Sequence, residues 1–234
     1  MSVDQSGCRA AAELLCTAAE TVLWPDIAHW SPRSAHGHRL ECRVGSGEAT
    51  YYRAQGLGSH RLTFGWKMVA SKRDPLLARQ WLTGREMLAR GYFAGQFTLP
   101  TLLAHTCCHE FAHLVQALNG WMSRGSVHNR QFYRILDEIY AADAAERVLG
   151  LIERDARQLG LPLEFADSEG HAPGEAKRFR MGQRVRFDYR GAPVVGEVIR
   201  VNRKTVNVKP LAARYRNEYF RISPHYLTPC AEPA

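Results

Sequence analysis

The side chains best suited to chemistry cluster at His109-Glu110-Phe111-Ala112-His113, an HExxH string. On a helix, residues four apart stack on one face, so both imidazoles can reach a single Zn²⁺ at roughly 2.0–2.1 Å. Glu110 stands beside the first of them, where a carboxylate can take a proton from metal-polarised water and return it to a departing amine. A catalytic zinc wants three protein ligands and an open position. The next histidine, His128, is followed four residues later by Phe132 on an apolar helical stripe, so its ring is expected to face the same core. Glu138, further along that helix, is the competing third ligand; helix phase favours His128. His105 lies one turn before His109, but a straight helix holds it about 12 Å from His113, too far to share one ion. It reads as a core residue or a support for the ligands, and Cys107 and Cys108 as buried thiols.

Several elements must position these groups. The run LPTLLAHTCCHEFAHLVQAL is apolar on nearly every side, as a central buried helix would be. Thr98 and Pro100 open it and Gly120 closes it. A helix is expected over about 128–159, broken near Gly150, with Phe132, Ile135, Leu136 and Ile139 as its buried stripe. Upstream, residues 9–24 read as an amphipathic helix ending before Pro25, and 75–91 as a helix begun by Asp74 and Pro75. Between His38 and Ala70, short β-branched and aromatic segments punctuated by glycines read as a small antiparallel sheet.

This order of elements, with TLL…HEFAH and a later histidine followed by Phe132, resembles the SprT-like (Spartan-type) zinc metallopeptidase domain over roughly residues 10–150. The resemblance implies a zincin-like α+β fold, His109, His113 and His128 as zinc ligands, Glu110 as general base and acid, and action on proteins attached to DNA. Asn129 stands where the family often has glycine, a replacement attributable to the tolerance of asparagine for left-handed backbone angles. The four-cysteine zinc ribbon that many members carry has no counterpart here. Enzymes of this class imply an exposed strand edge beside the metal, for which Arg61–Val69 (RLTFGWKMV) is the candidate.

After a polar segment at 161–178, read as a linker, QRVRFDY, PVVGEVIRV, KTVNVKP and YFRI alternate with period two, with turns at Arg190-Gly191 and Asn202-Arg203. These strands imply a small barrel over 179–234, similar to SH3-like barrels of the KOW or Tudor type. Residues 171–234 hold 13 basic and 5 acidic side chains, whereas residues 1–170 hold 18 of each. The whole formal charge of +8 therefore belongs to the second module, which suggests a polyanionic partner, DNA or RNA, or docking to protein. Arg184, Arg186, Arg200, Arg203, Lys204, Arg214 and Arg216 are the candidate contacts. Charged residues make up 23% and no apolar run approaches the roughly 18 residues of a membrane span, which excludes a transmembrane helix. Six scattered cysteines without a CxxC pair point to free thiols in a reducing cytoplasm, the nucleoid included.

The sequence thus leads to an α+β zinc metallopeptidase domain over 1–160 followed by a basic barrel, with peptide or protein as substrate. The rival readings are a nucleic-acid-binding regulator whose metallopeptidase-like domain never cuts, and a zinc hydrolase acting on something other than peptides.

Overall fold

Everything in the first unit is arranged around one 20-residue helix, Leu99–Leu118. In this computed structural model the described residues are 4–31, 37–56, 58–79, 81–122, 125–165, 178–189, 192–202, 205–215, 219–222 and 224–230. The chain divides into two units, Met1–Asp167 and Ser168–Ala234, forming an α+β molecule with two small sheets.

The first unit begins with α1 (Gln5–Ala18), which winds on through a π-helical turn at Ala19–Leu23 and a 3-10 turn at Trp24–Asp26 into α2 (Ile27–Trp30). The helix expected to stop before Pro25 thus continues past it in tighter form, because proline at the head of a new turn has no hydrogen bond to lose. Strands β1 (Arg39–Gly45), β2 (Tyr51–Gly56) and β3 (Ser59–Gly65) follow. Their spatial order is β1-β3-β2, with β1 parallel and β2 antiparallel to β3. The sheet is therefore mixed and not antiparallel, because the segment after Gly45 crosses the end of β3 and does not turn back as a hairpin. Gly65 permits the crossing: a Cβ there would lie 2.2 Å from the Gly47 carbonyl oxygen. The RLTFGWKMV segment is likewise corrected. Its first part is the central strand β3, and Trp66–Lys72 forms helix α3, so the edges are β1 and β2, of which β2 packs against the long helix Leu99–Leu118.

Next come α4 (Pro75–Ala78) and α5 (Leu82–Arg90), two short helices where one was expected. The long helix is α6 (Leu99–Leu118). Thr98 and Thr101 cap each other reciprocally at its start, and Gly120, at φ +68°, follows its end. It packs against α1, α3, α5, β2 and β3, and against α7 (Arg130–Ala141) and α8 (Ala144–Gln158). Enclosure on every side explains the near-continuous apolar sequence. The break in the last helical segment falls at Ala142 and Asp143, where Asp143 has φ 54°; Gly150 lies inside α8. Leu161, Leu163 and Phe165, read from sequence as linker, pack on this core, with Phe165 stacked on Phe97. The rest of that linker, 166–177, lies outside the described residues.

The second unit is one antiparallel sheet of β4 (Arg184–Tyr189), β5 (Ala192–Val201), β6 (Val206–Pro210), β7 (Phe220–Ile222) and β8 (Thr228–Pro229). Their order is β7-β6-β5-β4-β8. Among the described residues no ladder joins β7 to β8, so the five strands of the expected small barrel form one sheet without a closing pair there. Alternation places Val185, Phe187, Val194, Val198, Val206 and Val208 in its core.

Candidate metal centre

His109 and His113 leave the same face of α6, and His128 approaches from the segment preceding α7. Its Nε2 atom lies 3.1 Å from His109 Nε2 and 3.1 Å from His113 Nε2. His128 is not on the helix, as sequence phase had it, but two residues before its first turn. Asn129 explains the change. Its Oδ1 accepts from the backbone N–H groups of Gln131 and Phe132, making it the N-cap of α7. Its φ is −91°, so the left-handed backbone expected there does not occur. Phe132 is fully buried beneath all three rings, with centroid distances of 4.9, 4.4 and 4.9 Å to His109, His113 and His128.

Two residues that carry no sequence signal orient the helix imidazoles. Glu86, on α5 and 5% exposed, places Oε2 2.7 Å from His109 Nδ1 and 3.2 Å from His105 Nε2, while the Tyr133 hydroxyl donates to Oε1 at 3.0 Å. An ionised carboxylate only accepts, so both ring nitrogens donate. His105 Nδ1 then accepts from the Tyr140 hydroxyl at 2.9 Å. Burial pushes the Glu86 carboxyl upward, but the bonds from His105 and His109 outweigh it and hold it well below the usual range. Gln116, fully buried, plays the corresponding part for His113. Its Nε2 donates to the Val127 carbonyl and to Asn129 Oδ1, leaving Oε1 to accept from His113 Nδ1 at 3.4 Å.

These bonds decide the tautomers. With Nδ1 of both helix histidines donating, their Nε2 atoms carry bare lone pairs, and His128 Nε2 can donate one proton to only one of them. At least one of the two helix imidazoles is thus left with a lone pair that no proton of its own satisfies, which a cation between the rings would resolve. Tetrahedral ligation at 2.0–2.1 Å separates ligand nitrogens by about 3.3 Å, close to the spacing found. Burial, then the neighbouring rings, pushes His113 down to about 3, and burial together with His109 lowers His128. Neutral imidazoles are the ligating form. The donor set therefore fits zinc.

Glu110 is 7% exposed, and its Oε2 is buried without a hydrogen-bond partner. Burial pushes its carboxyl up to about 7, against the pull of His109 and Lys72. Lys72 is fully buried; its Nζ donates to Thr83 Oγ1 at 2.5 Å and Thr106 Oγ1 at 2.9 Å, and burial brings it down to about 7. Both residues line a cleft of about 460 Å³ that also takes in the three histidines and the edge strand β2.

Comparison of the chain with protein-family models, curated proteins and solved structures finds no match. The geometry alone therefore separates the remaining candidates. Glu138 is half exposed and pairs with Arg134 at 3.5 Å, outside both groups among the described residues whose geometry could hold an ion, the three histidines and the Glu86, His105 and His109 cluster. Tyr133, Tyr140 and Arg134, polar residues close in sequence to His128, are placed away from the cleft: the tyrosines are bound to Glu86 and His105, and Arg134 lies over the ring of Trp121, so none of the three can stabilise an oxyanion there.

In the second unit, Arg184, Arg186 and Arg200 are exposed. Glu197 is the registered neighbour of both Arg184 and Lys209, so an acid interrupts the expected cationic face. Arg214 lies in the 3-10 turn Ala213–Tyr215. Arg203, Lys204 and Arg216 lie outside the described residues, as do the turn residues Arg190 and Gly191. No helix among the described residues is long and apolar enough to cross a membrane.

Proposed function

We propose that the chain is a zinc-dependent metallopeptidase of the SprT-like, zincin-type class. In this proposal the C-terminal unit is an SH3-like module that recruits it to nucleic acid or to proteins bound there. The observation that carries the reading is the convergence of three imidazole Nε2 atoms in one cleft with the buried Glu110, whose Oε2 has no hydrogen-bond partner. A zinc ion held by His109, His113 and His128 would polarise a peptide carbonyl and lower the pKa of water.

The remaining work belongs to the chain. Glu110 takes a proton from the attacking water and delivers it to the amide nitrogen as the C–N bond breaks, so one carboxylate serves both steps. Its high proton affinity suits it to hold that proton between them. Glu86 and Gln116 keep the two helix imidazoles from rotating. Strand β2 borders the cleft as an edge, where an extended peptide can add as a further strand, and its Tyr51 and Tyr52 line the cleft.

The test is Glu110→Gln, assayed on a protein bound to DNA. The variant should bind zinc and fold like the parent, and cleave about 10²–10⁴-fold more slowly. Undiminished cleavage would refute the enzymatic reading. Failure of the zinc-loaded parent to cleave would leave the regulatory alternative.

A further inference from the structure

Beyond the residues that hold the ion, the cleft has a chemistry of its own. Trp81 and Leu82, at the head of α5 and backed by the fully buried Met68 of α3, form one wall; Met122 and Val127, which stand between α6 and α7 in the chain, form the other. Met122 is 47% exposed and Val127 37% exposed. Large apolar side chains gathered open to water at the mouth of a concave site mark a surface that a ligand covers.

The charges in the cleft do not favour an ionic side chain. Lys72 has no exposed surface, its ammonium is turned into two threonine hydroxyls, and it lies 5.0 Å from the centroid of the Trp81 ring. Glu48 sits on an exposed loop and accepts from the Ser71 hydroxyl. Glu110 is committed to the proton transfers. An anion entering between the apolar walls would therefore lose its hydration without a free counter-charge, and a cation would meet only the exposed, solvent-screened carboxylate of Glu48. The volume of about 460 Å³ accommodates a large side chain together with the backbone that carries it.

Resting on the peptidase reading, we infer that the substrate is a polypeptide presenting a large apolar residue, leucine, methionine or phenylalanine, next to the cleaved bond. That side chain lies between Trp81 and Leu82 on one side and Met122 and Val127 on the other. Met122 and Trp81 are then determinants of specificity. Seating such a side chain near the reacting carbonyl also draws water from the cleft, which strengthens every interaction of the developing charge.

The experiment uses the zinc-loaded full chain. Cleavage sites are first mapped in an unfolded protein. The kcat/KM is then measured for peptides that differ only in the residue flanking the cleaved bond: leucine, phenylalanine, alanine, aspartate or lysine. Leucine and phenylalanine should exceed alanine by at least about tenfold, and aspartate and lysine by more. Met122→Glu, an exposed change, should retain bound zinc and lower the leucine-to-alanine ratio by about tenfold. Equal rates across the series, or an unchanged ratio in the variant, would overturn this inference and leave the peptidase reading standing. No cleavage of any substrate by protein with one bound zinc would overturn the peptidase reading, and this inference with it.

Discussion

Replacing Glu86 by alanine removes the acceptor of three hydrogen bonds at once, from His109, His105 and Tyr133. The hydroxyl of Tyr133, a half-buried residue, can turn to water, but the nitrogens of His109 and His105 sit in side chains only 4% and 0% exposed. Each buried donor left unpaired costs about 1–3 kcal/mol, so the metal-free variant should be less stable by about 2–6 kcal/mol. The effect on the ion is separate. Freed from the carboxylate, His109 can rotate and change tautomer, and loss of such a partner typically weakens metal binding by about 10–100-fold. That corresponds to about 1.4–2.7 kcal/mol. Glu86→Gln keeps one acceptor oxygen and should fall between parent and alanine variant on both scales. Chelator competition gives the zinc affinity, and urea unfolding of the metal-free protein gives the stability. Unchanged zinc affinity in Glu86→Ala, with the fold intact, would refute the assignment of Glu86 as the support of a metal ligand.

Phe132→Ala, beneath all three rings, should cost about 3–5 kcal/mol in denaturant unfolding and loosen zinc binding; an unaltered zinc affinity would count against a packed platform. His105 and His113 are held neutral by burial down to about 4 and about 3, whereas in the unfolded chain both protonate near 6.5. Their contribution to stability is therefore present above pH ~6.5 and is lost as pH falls through those folded values. The melting temperature of the metal-free protein should drop between pH 7 and 4, and His105→Gln should flatten the curve; a flat parental profile would contradict the burial argument. Arg184, Arg186 and Arg200 replaced together by alanine should lower the log–log salt slope of DNA binding by about 2–3 in fluorescence anisotropy titrations, whereas an unaltered slope would remove these residues from the interface.

The central helix and its ends were legible because caps, helical period and apolar continuity are local: Thr98, Pro100 and Gly120 act within a turn of where they stand. The HExxH pair was legible for the same reason, since the geometry of i and i+4 needs no tertiary partner. The site of His128 could be named from sequence, but its route could not. Asn129 reads as a residue suited to left-handed backbone until the N–H groups of Gln131 and Phe132 are seen to need its oxygen.

Glu86 lies 23 positions before the histidine it orients, on a separate helix, and nothing in the pattern of α5 marks it out among exposed acids. Gln116 looks like an ordinary polar residue of α6 until the segment carrying His128 folds onto it. The mixed sheet is the same kind of case, for strand alternation records which face is buried and not which neighbour lies alongside. By itself the sequence determined the helix that presents the ligands and the types of side chain it presents. The tertiary structure alone decided which carboxylate and amide hold those rings still, which strand borders the cleft, and which apolar side chains line it. Local periodicity follows from the backbone, whereas partners across the fold are chosen by how whole elements pack.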